Sequence, residues 1–123
     1  MSEPPSATVR PIRPKIGVVM PLANEAGSID ALLQAVVRHL MPHDRMFCIL
    51  DRVSVDGTRN RIDAAAAVDS RVVPVWAPEN RCVVDAYVRG YRAALDAGCE
   101  WILEMDGGGS HDPSEIPRLF EAM

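Results

Sequence analysis

Positive charge is in short supply: 13 Lys and Arg stand against 17 Asp and Glu, a formal net charge of −4 over 123 residues. Affinity for a nucleic-acid backbone comes mainly from clustered Lys and Arg, so the balance speaks against a nucleic-acid partner and leaves a small anionic ligand open. No run approaches the roughly 18 apolar residues that a spanning helix needs, and no transmembrane segment is expected. Cysteine is scarce and odd in number: Cys48, Cys82 and Cys99 lie far apart, two of them inside apolar segments. That pattern excludes a disulfide framework and reads as reduced core thiols in a cytosolic protein. Aromatics make up only 5% of the chain, so alanine and valine carry much of the apolar content, and Trp76 and Trp101 read as core residues.

Familiar site motifs are missing as well. No G-x-G-x-x-G joins the first strand to the first helix and there is no P-loop lysine, which removes dinucleotide oxidoreductases and P-loop ATPases. Without a G-x-S-x-G elbow, or a Cys pair at zinc spacing, hydrolase and zinc-site readings have no anchor.

What is present is the composition of an ordinary soluble domain, 48% hydrophobic and 24% charged. A chain this long fits one domain and buries roughly two-thirds of its unfolded surface. Met1 to Lys15 holds four prolines and no apolar stretch, so it reads as a disordered leader rather than a secretory signal. Arg10, Arg13 and Lys15 in it suit either a solvated tail or peripheral contact with an anionic membrane surface at the inner face.

From Ile16 onward strand and helix patterns alternate. Ile16 to Leu22 is a short apolar run of the kind buried on both sheet faces. Ile29, Leu32, Leu33, Val36, Val37 and Leu40 recur at helical spacing, with Ser28 placed to cap the start and Pro42 just past the end. Met46 to Leu50 predicts a second strand, and an alanine-rich helix ends near Asp69. Val72 to Trp76 predicts a third strand, which Pro74 assigns to a sheet edge. Val84, Tyr87, Val88, Tyr91, Ala94 and Leu95 mark an amphipathic helix with Gly98 as its left-handed cap. Trp101 to Met105 is a fourth strand, and Ile116, Leu119, Phe120 and Met123 give a last helix one apolar face, with Asp112 as its cap.

This order predicts an α/β fold, an open and mainly parallel sheet with helices on both faces, over residues 16–123. In such sheets ligands bind beyond the carboxyl ends of the strands. Four loops lie there: Pro21 to Gly27, Asp51 to Thr58, Ala77 to Cys82, and Asp106 to Asp112. Asp51, Asp56 and Asp106 follow strand ends, a sparse carboxylate set suited to a hard divalent cation shared with a diphosphate; Asp56 equally suits its Asp-Gly-Thr turn. Glu104, inside an apolar strand, is either a buried carboxylate paired with an arginine or part of an exposed strand end.

PLANEAGSI (Pro21 to Ile29), LDRVSVDGT (Leu50 to Thr58), APENR (Ala77 to Arg81) and WILEMDGGGSHDPSEIP (Trp101 to Pro117) resemble, in order and spacing, the signature segments of family 2 glycosyltransferases. The likeness is to the polyprenyl-phosphate (dolichol-phosphate) sugar synthase branch and covers the chain from Ile16 onward. It implies a GT-A fold, Rossmann-like and here truncated to the donor-binding half. It implies that Pro21, Ala23 and Glu25 line a nucleoside pocket and that Asp51 holds the base or ribose. Asn80 and Arg81 match a segment near the nucleotide, where arginine offsets diphosphate charge. Asp106 falls on the first acid of the family's Asp-x-Asp motif, which binds Mg2+ or Mn2+ and through it the sugar diphosphate.

Gly107 and Gly108 either let backbone amides approach that diphosphate or form a flexible loop. His111 is either a second metal ligand, a contact to an acceptor phosphate, or a surface residue beside a helix start. The sequence departs from the family pattern at Gly108, where a second acid is usual, at Arg52, where an acid pair is usual, and at Leu22 and Ala23, which replace polar and stacking residues. The resemblance implies a cytoplasmic transferase that moves sugar from a nucleoside-diphosphate sugar to a polyprenyl phosphate or glycan acceptor, the acceptor site lying in a second half. The alternatives are a non-catalytic nucleotide-binding or regulatory module and a metal-dependent nucleotidyltransferase.

Overall fold

In the computed structural model, residues 14–22, 27–51 and 57–105 are described. Strand β1 (Ile16–Leu22) is buried at every position but Pro21. Helix α1 (Ile29–Val37) turns Ile29, Leu33 and Val36 inward and carries Asp30 in its first turn, where a carboxylate meets the positive end of the helix dipole. Ser28 occupies the capping position without a side-chain capping bond. The helix stops short of Leu40, which the apolar pattern includes, because Arg71 intercepts its end. The Arg71 guanidinium donates Nη1 to the carbonyls of Val37 and Leu40 at 3.2 and 2.7 Å. Orphan carbonyls at a helix end are thereby satisfied from another element, and Leu40 stays buried in the turn that follows.

Strand β2 (Arg45–Leu50), helix α2 (Thr58–Val68), strand β3 (Val72–Trp76), helix α3 (Val83–Asp96) and strand β4 (Trp101–Glu104) complete the described elements. Gly57 before α2 and Gly98 after α3 have positive φ of 93° and 83°, a region open to glycine, and Gly98 is the left-handed cap that the sequence predicts.

All strand pairs are parallel, in the order β3-β2-β1-β4. Pro74 therefore lies on an edge strand, as its missing N–H requires. Alternation along the strands sends two sets of side chains to opposite faces. Ile16, Val18, Met20, Met46, Cys48 and Leu50 pack with Ile29, Leu33 and Val36 of α1 and Ile62 of α2. Val19, Phe47, Ile49 and Val75 pack with Ala86 and Ala94 of α3. Helices thus cover both faces, and the change of face comes where the chain crosses from β3 over to β4.

Two contacts set the spacing of these layers. A Cβ on Gly90 of α3 would collide with Val19 Cγ1 of β1, so glycine is what lets the helix lie against the central strand. At the opposite end of the sheet, the fully buried Asp44 accepts hydrogen bonds from the backbone N–H of Ile16 at 2.9 Å and of Met41 at 2.8 Å. Lys15, assigned to the leader by composition, is tied in next to it: its N–H donates to Glu100 Oε1 at 3.0 Å and its carbonyl accepts from Glu100 and Trp101. The rest of the leader, residues 1–13, lies outside the described residues, as does the last helix.

Several burial expectations are corrected. Trp76 and Trp101 are 41% and 45% exposed rather than core, since both sit on outer strands. Cys48 and Cys99 are buried, and desolvation pushes the Cys48 thiol up to about 12, but Cys82 is exposed at the start of α3. Glu104 is exposed at the end of the open outer strand β4, so its strand-end reading holds and the buried one does not.

Candidate functional site at the carboxyl edge of the sheet

The carboxyl ends of the four parallel strands share one edge, and the order of the sheet fixes which loops are neighbours. From β1 the chain moves first to β2 and β3 on one side, then returns to β4 on the other, so the switch point lies between β1 and β4. β1 runs three residues past its last pairing with β4, which is Val19 with Glu104, and Met105 N–H closes that pairing on the Val19 carbonyl at 3.0 Å. Pro21 has the same parity as Val19, so its missing N–H falls on the side where β4 has ended. A proline is thus tolerated in a central strand, half-buried and in register with Ile49.

Asp51 follows β2 directly and is half-buried on the same edge. The loop after β3 is held by Ala77 N–H on the Leu50 carbonyl at 2.7 Å and by Asn80 N–H on the Ala77 carbonyl at 3.1 Å. These bonds draw Asn80 inward to 8% exposure. Its amide Nδ2 is shut away from solvent and has no hydrogen-bond partner among the described residues. A buried donor left without an acceptor costs about 1–3 kcal/mol.

Arg81 turns outward instead. Its backbone N–H and its Nε both donate to Asp85 Oδ2, at 2.9 and 3.1 Å, in the first turn of α3. The hydrogen bond from Arg81 holds the Asp85 carboxyl below the usual carboxylate range, and the same bond raises Arg81. Glu79, Asn80, Arg81, Asp85, Arg89 and Arg92 surround a cleft of about 300 Å³ between this loop and α3. Arg89 approaches Glu79 at 3.9 Å, and Arg92 has no ion-pair partner among the described residues.

Sequence reasoning passed over three of these groups. Asp85 had a legible signal in its i,i+4 spacing from Arg81, and Arg89 and Arg92 follow Asp85 at helical spacing; the path of the loop that closes the cleft against them was not legible. It also passed over Arg59, whose guanidinium carbon lies 4.3 Å from the centre of the Trp76 ring. That cation–π contact explains how an exposed tryptophan is accommodated on the edge strand.

A larger cleft of about 420 Å³ lies between α1 and α2, floored by Leu33, Val37, Ala65 and Val72. It is mostly apolar, although Asp30, Gln34, Arg61 and Asp69 also line it; it runs along helix flanks rather than strand ends, and among the described residues none of the predicted site residues lines it.

The structure therefore gathers Pro21, Asp51, Asn80 and Arg81 on one edge. Ala23, Glu25, Asp106, Gly107, Gly108 and His111 lie outside the described residues, and so do Arg52 and Asp56. Among the described residues no group of three His, Cys, Asp or Glu side chains is placed to hold a metal ion. Nor is any described helix long and apolar enough to cross a membrane.

The fold is an open parallel α/β sheet, a class in which ligands bind beyond the carboxyl ends of the strands, and here the loops at that edge carry a carboxylate, a buried amide and a guanidinium. Residues 17–123 match the sequence profile of glycosyl transferase family 2, and the chain belongs to that family. It is 32% identical over 109 residues to the undecaprenyl-phosphate mannosyltransferase of Micrococcus luteus, covering 89% of this chain and 44% of that protein. It is 33% identical over 118 residues to the polyprenol monophosphomannose synthase of Mycolicibacterium smegmatis, covering 95% of this chain and 43% of that one. An undecaprenyl-phosphate 4-deoxy-4-formamido-L-arabinose transferase of Aeromonas hydrophila is 32% identical over 110 residues, 87% of this chain and 33% of that protein. The chain thus spans less than half the length of these relatives.

Proposed function

We propose that this chain is the donor-binding part of a transferase that moves a sugar from a nucleoside-diphosphate sugar to a polyprenyl phosphate. The observation that carries the reading is the all-parallel sheet of order β3-β2-β1-β4, which puts the loops bearing Pro21, Asp51, Asn80 and Arg81 on one edge, Pro21 beside the β1–β4 switch point. The relatives' names supply the acceptor class.

In this reading Pro21 and Asp51, with Ala23 and Glu25, take the nucleoside, while Asn80 and Arg81 face its diphosphate. An oxygen of the acceptor phosphate attacks the anomeric carbon. The bond from that carbon to the diphosphate breaks, and the nucleoside diphosphate leaves with the electron pair. A phosphate monoester is already ionised near neutral pH, so the nucleophile needs no general base. A polyprenyl phosphate is anchored in lipid, which puts the reaction at a membrane surface.

Asp106, with His111 as a second ligand, would hold Mg2+ or Mn2+. That ion would stabilise the negative charge developing on the leaving diphosphate. With Gly108 in the second-acid position the protein supplies few ligands, so metal is expected to bind only together with the donor. Calorimetry with UDP and GDP, each with Mg2+ or with chelator, tests this. Metal-dependent binding of one nucleotide, abolished by Asp106→Ala, is expected. Binding that survives both chelator and Asp106→Ala would instead indicate a non-catalytic nucleotide module, and tight metal binding without nucleotide would refute the shared-ligand reading.

A further inference from the structure

The cleft between the loop after β3 and the start of α3 is lined by three guanidinium groups and two carboxylates, and its charges are unevenly matched. Arg89 has Glu79 at 3.9 Å, Arg81 has Asp85 at 3.1 Å, and Arg92 has no ion-pair partner among the described residues. The Arg81–Asp85 contact has the better geometry of the two pairs, because one carboxylate oxygen receives both the backbone N–H and Nε. Beside it the Asn80 side chain, nine-tenths buried, offers an amide Nδ2 with no acceptor among the described residues. Donors outnumber acceptors here, a balance that an anion with several oxygens would correct.

We propose that the Asp85 carboxylate is a built-in competitor for the donor's diphosphate: it holds Arg81 against α3 in the free protein and must yield that guanidinium when the phosphate oxygens arrive. The inference rests on the donor-binding reading for the identity of the ligand, and on the cleft's geometry for the role of Asp85. A carboxylate at hydrogen-bond distance satisfies arginine in the way a phosphate oxygen does, but with a single charge against the two or more of a diphosphate. Arg81 is 86% exposed, so the pair lies in high dielectric and is readily broken. Asp85 is thus a positioning residue, lowering affinity for the donor while keeping Arg81 out of solution disorder. Because it sits in the first turn of the helix, its carboxylate also meets the positive end of the α3 dipole.

Asp85→Asn separates charge from shape. The variant keeps a side-chain oxygen to accept the Arg81 N–H, so the start of α3 is preserved, and a thermal melt matching that of the parent checks this. UDP, GDP and inorganic pyrophosphate would be titrated, with Mg2+ present, into the full chain, Asp85→Asn, Arg81→Ala and the double variant. Removing one half-buried charge next to an anion site is expected to tighten binding roughly two- to five-fold. That gain should vanish in the Arg81→Ala background.

Unchanged or weaker binding by Asp85→Asn overturns the proposal, and so does a gain that persists without Arg81. The pyrophosphate arm separates the two ideas. If neither nucleotide binds but Asp85→Asn still tightens pyrophosphate through Arg81, the donor reading fails and the competitor role stands. If nucleotide binds and Asp85→Asn changes nothing, the competitor role fails and the donor reading stands. No binding of any ligand to any variant overturns both.

Discussion

Single polar side chains carry much of the definition of this sheet. Asp44 is buried completely and receives two backbone N–H groups that would otherwise have no acceptor, one from the first residue of β1 and one from the turn after α1. Asp44→Ala is expected to cost about 2–4 kcal/mol, read as a lowered midpoint in urea unfolding, because the Ile16 amide would stay buried and unpaired. Arg71 and Asp69 make a second clasp, with Nη2 to Oδ2 at 2.7 Å and Nε to Oδ1 at 3.0 Å. The hydrogen bond from Arg71 holds the Asp69 carboxyl below its usual range. A group whose folded pKa is depressed gives stability that is complete above its unfolded value, about 3.9, and that fades as pH falls through the folded value. Unfolding free energy should therefore drop on acidification below about pH 4, and Asp69→Asn should flatten that limb of the profile. None of these partners was legible from sequence. Asp44, Asp69 and Arg71 are turn residues by pattern, and only the approach of distant elements gives them acceptors and donors to serve.

At the level of elements, period and punctuation carried most of the information. The apolar runs that became β1 and β2, the helical spacing of α1 and α3, the edge position of Pro74 and the left-handed Gly98 all follow from local physics, and all appear in the structure. The failures share one cause, which is that exposure is set by neighbours rather than by residue type. Trp76 and Trp101 look like core residues until their strands prove to be the two outer ones, and α1 looks one turn longer until Arg71 closes it. The contact between α3 and β1 shows the same dependence. Gly90 reads as a weak point in a helix, yet it marks the place where the helix backbone meets Val19. Gly90→Ala gains helix propensity of about 1 kcal/mol. It should still destabilise by about 1–3 kcal/mol through overpacking. Chemical denaturation of Gly90→Ala, Val19→Ala and the double variant checks this, with the double variant recovering part of the loss because the colliding methyl is gone.

For the molecule as a whole, alternation of strand and helix was enough to predict a parallel sheet covered on both faces, and the rule for ligand position in such sheets was enough to name the edge. Pro21, Asp51, Asn80 and Arg81 lie on or directly after the carboxyl ends of β1, β2 and β3 at that edge. The direction in which Arg81 points was not legible, because it is set by Asp85, which the path of the loop brings within hydrogen-bond distance. The same topology has a consequence in time. β1 gains one neighbour, β2, after about thirty residues of chain, but its contacts on the other side span 85 residues. During synthesis, then, the most apolar strand has one unpaired edge until nearly the whole described chain has emerged. Long-range parallel pairing of this kind is slow, and an edge left waiting is open to capture by another chain.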